Sequence, residues 1–245
     1  NNVNALLHAG TDYVAVFGKS WDFHVSEILR TTLDENLNMI FDTIKYLKNH
    51  GKEVVFDAEH FFDGFLENPE YALKTLEVAY DAGADSICLC DTKGGMFPLD
   101  IFNITKKVVE KFNCEIGIHT HNDNGMAVAN AIMAVEAGAT QIQGTINGYG
   151  ERCGNANLCT IIPNLQFKKG IKCVEDEKMK EITILSRRVS EIANAAPDER
   201  GPYVGRSAFA HKAGMHSDAV SKNSRSYEII DPEMVGNERV LLLSE

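Results

Sequence analysis

The chain has 245 residues, 44% of them hydrophobic, which is enough for one α/β barrel domain with a sizeable core. Its formal net charge of −11 argues against nucleic acid or an anionic membrane as the main partner, although a local cluster of donors could still bind a phosphorylated ligand. We find neither a signal peptide nor an apolar stretch long enough to span a bilayer.

Five short β-branched runs alternate with longer helical patterns along the first part of the chain. A glycine stands where helices end, as in Ala82-Gly83-Ala84, because glycine adopts the left-handed conformation there at little cost. The repeating unit is therefore helix, glycine stop, strand and loop, which is typical of βα units. The predicted strands span residues 13–17, 53–58, 86–90, 115–119 and 141–145.

Parallel strands of this kind fit either an open doubly wound sheet or a closed barrel. No GxGxxG motif follows a strand, and polar side chains able to do chemistry follow nearly every strand, as active-site residues do in (β/α)₈ barrels. We therefore predict residues 1–168 to be a partial TIM (β/α)₈ barrel with the last five βα units, lacking about three strands on the N-terminal side.

Residues 169–245 show a different pattern and are predicted to form a small, mainly helical linker subdomain. An amphipathic helix is expected over residues 175–195, an ordered loop over 196–207, and short helical pieces over 209–220 and 232–242.

The six cysteines form no CxxC pair and are predicted to be buried thiols of a cytoplasmic protein rather than a disulfide framework. The sequence begins without an initiator methionine and stops at Glu245 in mid-pattern, so we expect a piece of a longer protein, truncated at both ends.

Two histidines stand two residues apart at the end of the fourth predicted strand, in His119-Thr120-His121. Residues i and i+2 of a strand face the same side, so both imidazoles can converge on one divalent cation. Taken alone, such a pair is more often two hydrogen-bonded core histidines. Here Asn122-Asp123 and a helix follow directly, so two ligands of a catalytic metal and a pair of core histidines are both compatible with the residues alone.

Three motifs resemble those of the α-isopropylmalate, homocitrate and citramalate synthases. They are the run at residues 116–129 around the histidine pair, GTINGYGERCGN at residues 144–155, and FAHKAGMH at residues 209–216. The resemblance extends through nearly the whole chain. Residues 17–21 and 57–64 are most similar to the citramalate-synthase-like branch.

The resemblance implies a metal-dependent Claisen condensation of acetyl-CoA with a 2-keto acid. The keto acid is expected to be pyruvate, giving citramalate, or 2-ketoisovalerate, giving 2-isopropylmalate. A divalent cation (Zn, Mn or Mg) would chelate the keto acid and polarise its carbonyl. The resemblance also implies a cytoplasmic homodimer engaged in amino-acid biosynthesis.

By the same resemblance, the metal ligands are His119, His121 and Asn155. Asn155 taken alone would be an ordinary loop amide. The family's first-strand run with an aspartate ligand and an arginine is absent from this sequence. We therefore expect three neutral ligands, weaker cation binding, and little or no turnover from this chain itself.

Three further residues are expected to act in catalysis. Glu59, at the end of the second strand, maps onto a carboxylate that takes part in acid–base chemistry at the forming bond. His216 and Tyr227 map onto the pair that enolises acetyl-CoA, which in the family reaches into the partner protomer's barrel. The alternative is that His216 and Tyr227 are surface residues of a linker.

The remaining candidates would bind substrate. Thr92 maps onto a hydroxyl that holds the keto-acid carboxylate, although it could equally cap a helix. Asn147, Gly148 and Gly150 belong to the loop expected near acetyl-CoA, since glycines there let the backbone approach a ligand. The alternative for that loop is a tight turn after the last strand.

Two other functions remain open from the sequence. One is a metal-dependent aldol lyase of the same barrel superfamily, which would not need the pair of His216 and Tyr227. The other is a non-catalytic fragment that only binds metal or ligand, or that dimerises to cover its exposed strand edges.

Overall fold

The computed structural model describes residues 2–212 and 214–241. Within them, the chain divides into two compact units. The first contains the residues up to Gly144 together with Gly150–Ala156, and the second contains Thr145–Tyr149 together with the residues from Asn157 onward. The sequence placed the domain boundary at residue 168 instead. The difference arises because Cys159, which precedes residue 168, already packs in the core of the second unit.

The first unit is built on one parallel sheet with the strand order β1-β2-β3-β4-β5. Its strands are β1 Tyr13–Lys19, β2 Glu53–Glu59, β3 Ser86–Asp91, β4 Glu115–Thr120 and β5 Gln141–Gln143. All five predicted strands are therefore present, each within two residues of its predicted end. The central strand β3 is buried along its whole length, as a parallel strand covered on both faces should be.

Helices connect consecutive strands and turn their apolar stripes inward. In α2, the buried residues Ile40, Ile44 and Leu47 recur at helical spacing. The helices of this unit are α1 Asn2–His8, α2 Leu33–Asn49, α3 Phe61–Glu67, α4 Pro69–Ala82, α5 Pro98–Lys111 and α6 Ala127–Glu136.

Helix α4 shows how local sequence sets these boundaries. The side chain of Asn68 accepts a hydrogen bond from the Tyr71 N–H, and Pro69 occupies the first turn, where no backbone donor is needed. Gly83 ends the helix with a φ of 99°. The predicted glycine stop is thus confirmed, and it places β3 directly after the helix.

Among the described residues, β1 pairs only with β2, and β5 pairs only with β4. Tyr13 and Phe17, on one face of β1, are 63% and 74% exposed. The predicted partial barrel therefore presents an unpaired edge and an uncovered apolar strip along β1.

The second unit is mainly helical, with α7 Leu158–Pro163, α8 Asp176–Met179, α9 Ile182–Ile192 and α10 Gly214–Lys222. Its core contains the following buried residues: Cys159, Met179, Ile182, Tyr203, Val204, Phe209 and Val235. One helix was predicted over residues 175–195, but the structure breaks it between Met179 and Ile182.

The helical prediction was wrong at two short segments of this unit. Ala210–His211 (β6) and Val240–Leu241 (β7) form a two-stranded parallel sheet. Each strand has two residues and exists only through its distant partner, so no local periodicity marks it. The predicted pieces at 209–220 and 232–242 keep helix only at α10 and in a 3₁₀ turn at Pro232–Val235; residue 213 and residues after 241 lie outside the described part.

All six cysteines are free, but the prediction that they are buried was wrong for two of them. Cys88, Cys90 and Cys159 are buried and Cys114 is half-buried, whereas Cys153 and Cys173 are exposed because they lie in surface loops. No helix among the described residues has both the length and the apolar character that a membrane span requires.

Candidate functional site

The carboxyl ends of the parallel strands bring most of the predicted residues of the first unit to one edge of the sheet. Lys19 ends β1 beside Glu59 at the end of β2, with which it is in register. Asp91 at the end of β3 is in register with Thr120 on β4. His119 lies one residue before that end, so these side chains belong to a single rim.

The two histidines of the HxH pair lie close together, with ring centroids 5.2 Å apart. The Nδ1 atom of His121 is buried and has no hydrogen-bond partner among the described residues. Burial first, and then the neighbouring charges of His119 and Arg152, lower the pKa of His121. A neutral imidazole with an unused buried nitrogen is the form that a cation binds.

Asn155 lies directly opposite His121. The two residues form an isolated antiparallel bridge, and on either side of it the Asn122 N–H donates to Gly154 O at 2.9 Å and the Ala156 N–H donates to Thr120 O at 3.0 Å. The loop that carries Asn155 is thus hydrogen-bonded along the end of β4. The structure therefore brings together the three residues predicted as metal ligands, and their donor set fits a divalent cation.

Gly150 leaves room for the side chain of Asn155. A Cβ atom at position 150 would stand 2.4 Å from Asn155 Nδ2, inside any permitted contact distance. The absence of a side chain at Gly150 is therefore needed for the placement of Asn155.

Arg152 clamps the same loop, and the sequence did not point to it. Its guanidinium binds the carboxylate of Asp123 at 2.7 and 3.0 Å, and one Nη2–H donates to Thr92 O at 2.7 Å. The bidentate geometry joins the loops that follow β3, β4 and β5. The arginine also holds the pKa of Asp123 below its ordinary value.

Glu59 forms an ion pair with Lys19, and both side chains are largely shielded from solvent. The next residue, His60, has a φ of 59°, and its N–H donates to the Thr92 hydroxyl at 2.8 Å. Thr92 therefore fixes the turn after Glu59 rather than capping a helix. The hydroxyl accepts this bond and keeps its own proton for another acceptor.

An aromatic cluster beside Glu59 was missed by sequence reasoning. The ring centroids of His24 and His60 are 4.0 Å apart. The His24 ring also stacks on Trp21, with a centroid separation of 5.2 Å. Lys93 Nζ lies 5.0 Å from the Trp21 ring centroid and 3.1 Å from Asp63 Oδ1. The residues follow three different strands, so no local motif announces the cluster.

Asp91 shapes the loop after β3. Its carboxylate is buried and accepts hydrogen bonds from the Gly95 and Met96 N–H groups, each at 3.2 Å. Burial nevertheless dominates and raises the pKa of Asp91 to about 6, against 3.8 for an ordinary aspartate.

We expect this pKa to make the stability of the metal-free first unit depend on pH. Between pH 4 and 6, the folded chain holds a proton on Asp91 that the unfolded chain has lost, so the free energy of unfolding falls as the pH rises. The total fall from this group is at most about 3 kcal/mol and ends above pH 6. The Asp91→Asn variant should not show this fall in the free energy of unfolding.

The measurement is urea unfolding in EDTA at several pH values, followed by the fluorescence of Trp21, the single tryptophan of the sequence. The exposed Asp81→Asn variant is the control. Parallel pH profiles for Asp91→Asn and the unchanged chain would show that Asp91 does not titrate in this range.

In the second unit, Asn147 uses all of its side-chain amide. Its Nδ2 donates to Ser186 O at 2.8 Å and to Ser190 Oγ at 3.1 Å, and its Oδ1 accepts from Ser186 Oγ at 2.6 Å. Asn147 and Gly148 both have a positive φ, of 62° and 69°. The amide therefore anchors a tight turn to α9.

The two predicted catalytic residues of the second unit are neighbours. The ring centroids of His216 and Tyr227 are 4.2 Å apart, and both side chains are exposed. The other histidine of the FAHKAGMH motif, His211, is half-buried, and its Nε2 atom lies 3.3 Å from Glu228 Oε1. Of the two histidines, His216 is therefore the one with an accessible ring.

Comparison with known proteins gives two family matches. A family described as HMGL-like matches residues 1–189, and one described as homocitrate synthase post-HMGL domain-like matches residues 203–245. The chain is 57% identical to an (R)-citramalate synthase of Aquifex aeolicus over 99% of its length. It is 37% identical to a homocitrate synthase of Pyrococcus horikoshii over 98% of its length.

The chain covers 46% of the Aquifex protein and 64% of the Pyrococcus protein, so it spans between about half and two thirds of the length of these relatives. Among solved structures, the HMG-CoA lyase of Bacillus subtilis superposes with a TM-score of 0.69 at 19% identity, covering 80% of this chain and 68% of that chain. This likeness establishes the fold and confirms the predicted barrel architecture.

Proposed function

This chain belongs to the HMGL-like family, and on that premise we propose that it supplies part of the active site of an acyltransferase. The reaction would be a Claisen condensation of acetyl-CoA with a small 2-keto acid. Pyruvate, giving citramalate, is preferred because (R)-citramalate synthases are 46–57% identical over nearly the whole chain, against 36% for a probable 2-isopropylmalate synthase.

One observation carries the proposal. His119, His121 and Asn155 meet at the end of β4, and the buried Nδ1 of His121 has no partner among the described residues. These side chains would hold the divalent cation. When bound, the cation would polarise the keto-acid carbonyl. Of the three expected cations, Zn is favoured over Mn and Mg by the two imidazole ligands.

Glu59 and Thr92 would act on the keto acid from the neighbouring strand ends. The Glu59 carboxyl group, oriented by Lys19, would take part in proton transfer at the keto-acid carbonyl oxygen, which gains negative charge as the carbon–carbon bond forms. The Thr92 hydroxyl, which accepts a hydrogen bond from the His60 N–H, would donate a hydrogen bond to the substrate carboxylate. Arg152 would keep the intervening loops in place.

His216 and Tyr227 would form the enolising pair. The exposed His216 ring would take a proton from the methyl group of acetyl-CoA, with the Tyr227 ring 4.2 Å away. We propose that this pair serves the barrel of a partner protomer in a homodimer. Gly148 and Gly150 would let the backbone approach acetyl-CoA, and Asn147 would fix that turn through α9.

The aldol lyase alternative is less favoured. The likeness to HMG-CoA lyases is at 16–19% identity, which bears on the fold alone. The FAHKAGMH motif resembles one found in the synthases. Residues 203–245 match the family described as homocitrate synthase post-HMGL domain-like.

The test is release of free CoA from acetyl-CoA, measured with pyruvate, 2-ketoisovalerate and 2-ketoglutarate in turn, on a protein of the relatives' length that carries this sequence. We expect pyruvate to give the highest kcat/KM. Glu59→Gln should lower kcat by a factor of about 100 or more. Glu53→Gln, at the opposite and exposed end of the same strand, is the matched control and should be neutral.

If none of the three keto acids releases CoA, the synthase proposal is wrong. If CoA is released equally well by Glu59→Gln, the proposed role of Glu59 is wrong while the synthase proposal stands.

A further inference from the structure

Two hydrogen bonds connect a histidine of the candidate metal site to side chains on two other strands of the sheet. The His119 Nδ1 atom lies 3.0 Å from Gln143 Oε1, and Gln143 Nε2 donates to Asp57 Oδ1 at 2.7 Å. The three residues come from β4, β5 and β2. All three are partly buried, so solvent competes little for these bonds.

Asp57 determines which group donates and which accepts in these two hydrogen bonds. A carboxylate offers acceptors only, so the Gln143 amide must present its NH₂ group to Asp57. Its carbonyl oxygen must then face His119. A carbonyl cannot donate, so the imidazole nitrogen facing it must carry the proton, and this fixes His119 as the Nδ1–H tautomer.

We propose that Gln143 and Asp57 are positioning residues that lock the His119 imidazole in its Nδ1–H tautomer and so leave the Nε2 lone pair free for a divalent cation. The inference rests on the proposed metal site. It adds two residues to which the resemblance assigned no role, and it explains why an amide rather than an apolar side chain ends β5 at position 143.

These hydrogen bonds require an amide at one of positions 57 and 143 and a carboxylate at the other. A carboxylate at position 143 would still accept from His119, but it would face the Asp57 carboxylate across about 2.7 Å, where two like charges repel. Exchanging the two functional groups restores the order: an amide at position 57 would donate to a carboxylate at position 143, and that carboxylate would accept from His119. The double variant Asp57→Asn with Gln143→Glu therefore rebuilds the same donor sequence.

The first readout needs no cation. Imidazole ¹⁵N chemical shifts of the metal-free chain, assigned with His119→Ala, report which ring nitrogen is protonated. We expect the Nδ1–H form of His119 in the unchanged chain, a shift towards the Nε2–H form in Gln143→Leu, and recovery of the Nδ1–H form in the exchanged double variant. Gln141→Leu, on the same strand and bonded to Ser86, is the matched control.

The second readout is calorimetric titration with Zn²⁺ alone. Loss of such an outer partner typically costs 10–100-fold in metal affinity, so Gln143→Leu should bind about 10–100-fold more weakly and the double variant should recover most of this loss. Trp21 fluorescence checks that each variant is folded.

The outcomes separate the two proposals. An unchanged His119 tautomer in folded Gln143→Leu would overturn the positioning role even if Zn²⁺ binds normally. If the unchanged chain binds no Zn²⁺, the metal site itself is wrong, while the ¹⁵N shifts still decide whether Gln143 and Asp57 set the tautomer.

Discussion

Replacing both histidines of the HxH pair, His119→Ala with His121→Ala, should weaken Zn²⁺ binding by more than about 100-fold. The loss of one outer-sphere partner typically costs 10–100-fold, and this variant removes two of the three proposed ligands. Asn155 alone would remain on its loop opposite position 121. The measurement is calorimetric titration of the chain with Zn²⁺, together with metal analysis after dialysis.

Two controls make that loss specific to the site. His8→Ala with His50→Ala removes two exposed histidines of the same unit and should leave the affinity unchanged. Cys88→Ser with Cys90→Ser tests a rival group, because these thiols and Asp57 place possible ligand atoms within 4.8 Å of one another. If only the cysteine variant abolished Zn²⁺ binding, the cation would belong to that group and the HxH assignment would fall.

Local sequence patterns were sufficient for the framework of the first unit. The β-branched runs and the glycine stops, such as Gly83, each encode a strand or a helix end through interactions within a few residues. The convergence of His119 and His121 also followed from the sequence, because the two-residue period of a strand puts both on one face.

The parts that escaped prediction depend on pairing between distant segments. The contact of His121 with Asn155 requires the loop after β5 to fold back along the end of β4, and motif resemblance rather than spacing pointed to it. Arg152 and its bond to Asp123 were not foreseen for the same reason. The two-residue strands β6 and β7 have no local signal at all.

Gln143 and Asp57 combine a local feature that the sequence predicted with a distant pairing that it did not. Each lies on a correctly predicted strand, and His119 is in register with Gln143 on the neighbouring strand. A signal was therefore available: polar residues at partly buried positions of a parallel sheet need partners, and the register limits the choices. The sequence alone lacked that register, so the two residues could not be connected to the histidine.

Gly64→Ala should destabilise the first unit by at least about 3 kcal/mol, or prevent it from folding. Gly64 lies in α3, and a Cβ there would stand 2.1 Å from Ser20 O and 2.9 Å from Trp21 Cα. These are backbone atoms, so no flexible side chain can move aside. The better helix propensity of alanine returns only about 1 kcal/mol.

The contact also bears on the site, because Ser20 directly follows Lys19 and its N–H donates to Glu59 O at 2.9 Å. Pushing Ser20 away from α3 should separate Lys19 from Glu59, so a folded Gly64→Ala chain should lose both stability and the ion pair. Urea unfolding followed by Trp21 fluorescence measures the first effect. Gly95→Ala is the matched control, since a Cβ there meets nothing within 4 Å. Equal midpoints for Gly64→Ala and Gly95→Ala would mean that α3 can shift without cost, and that the close approach of Gly64 does not hold β1 in place.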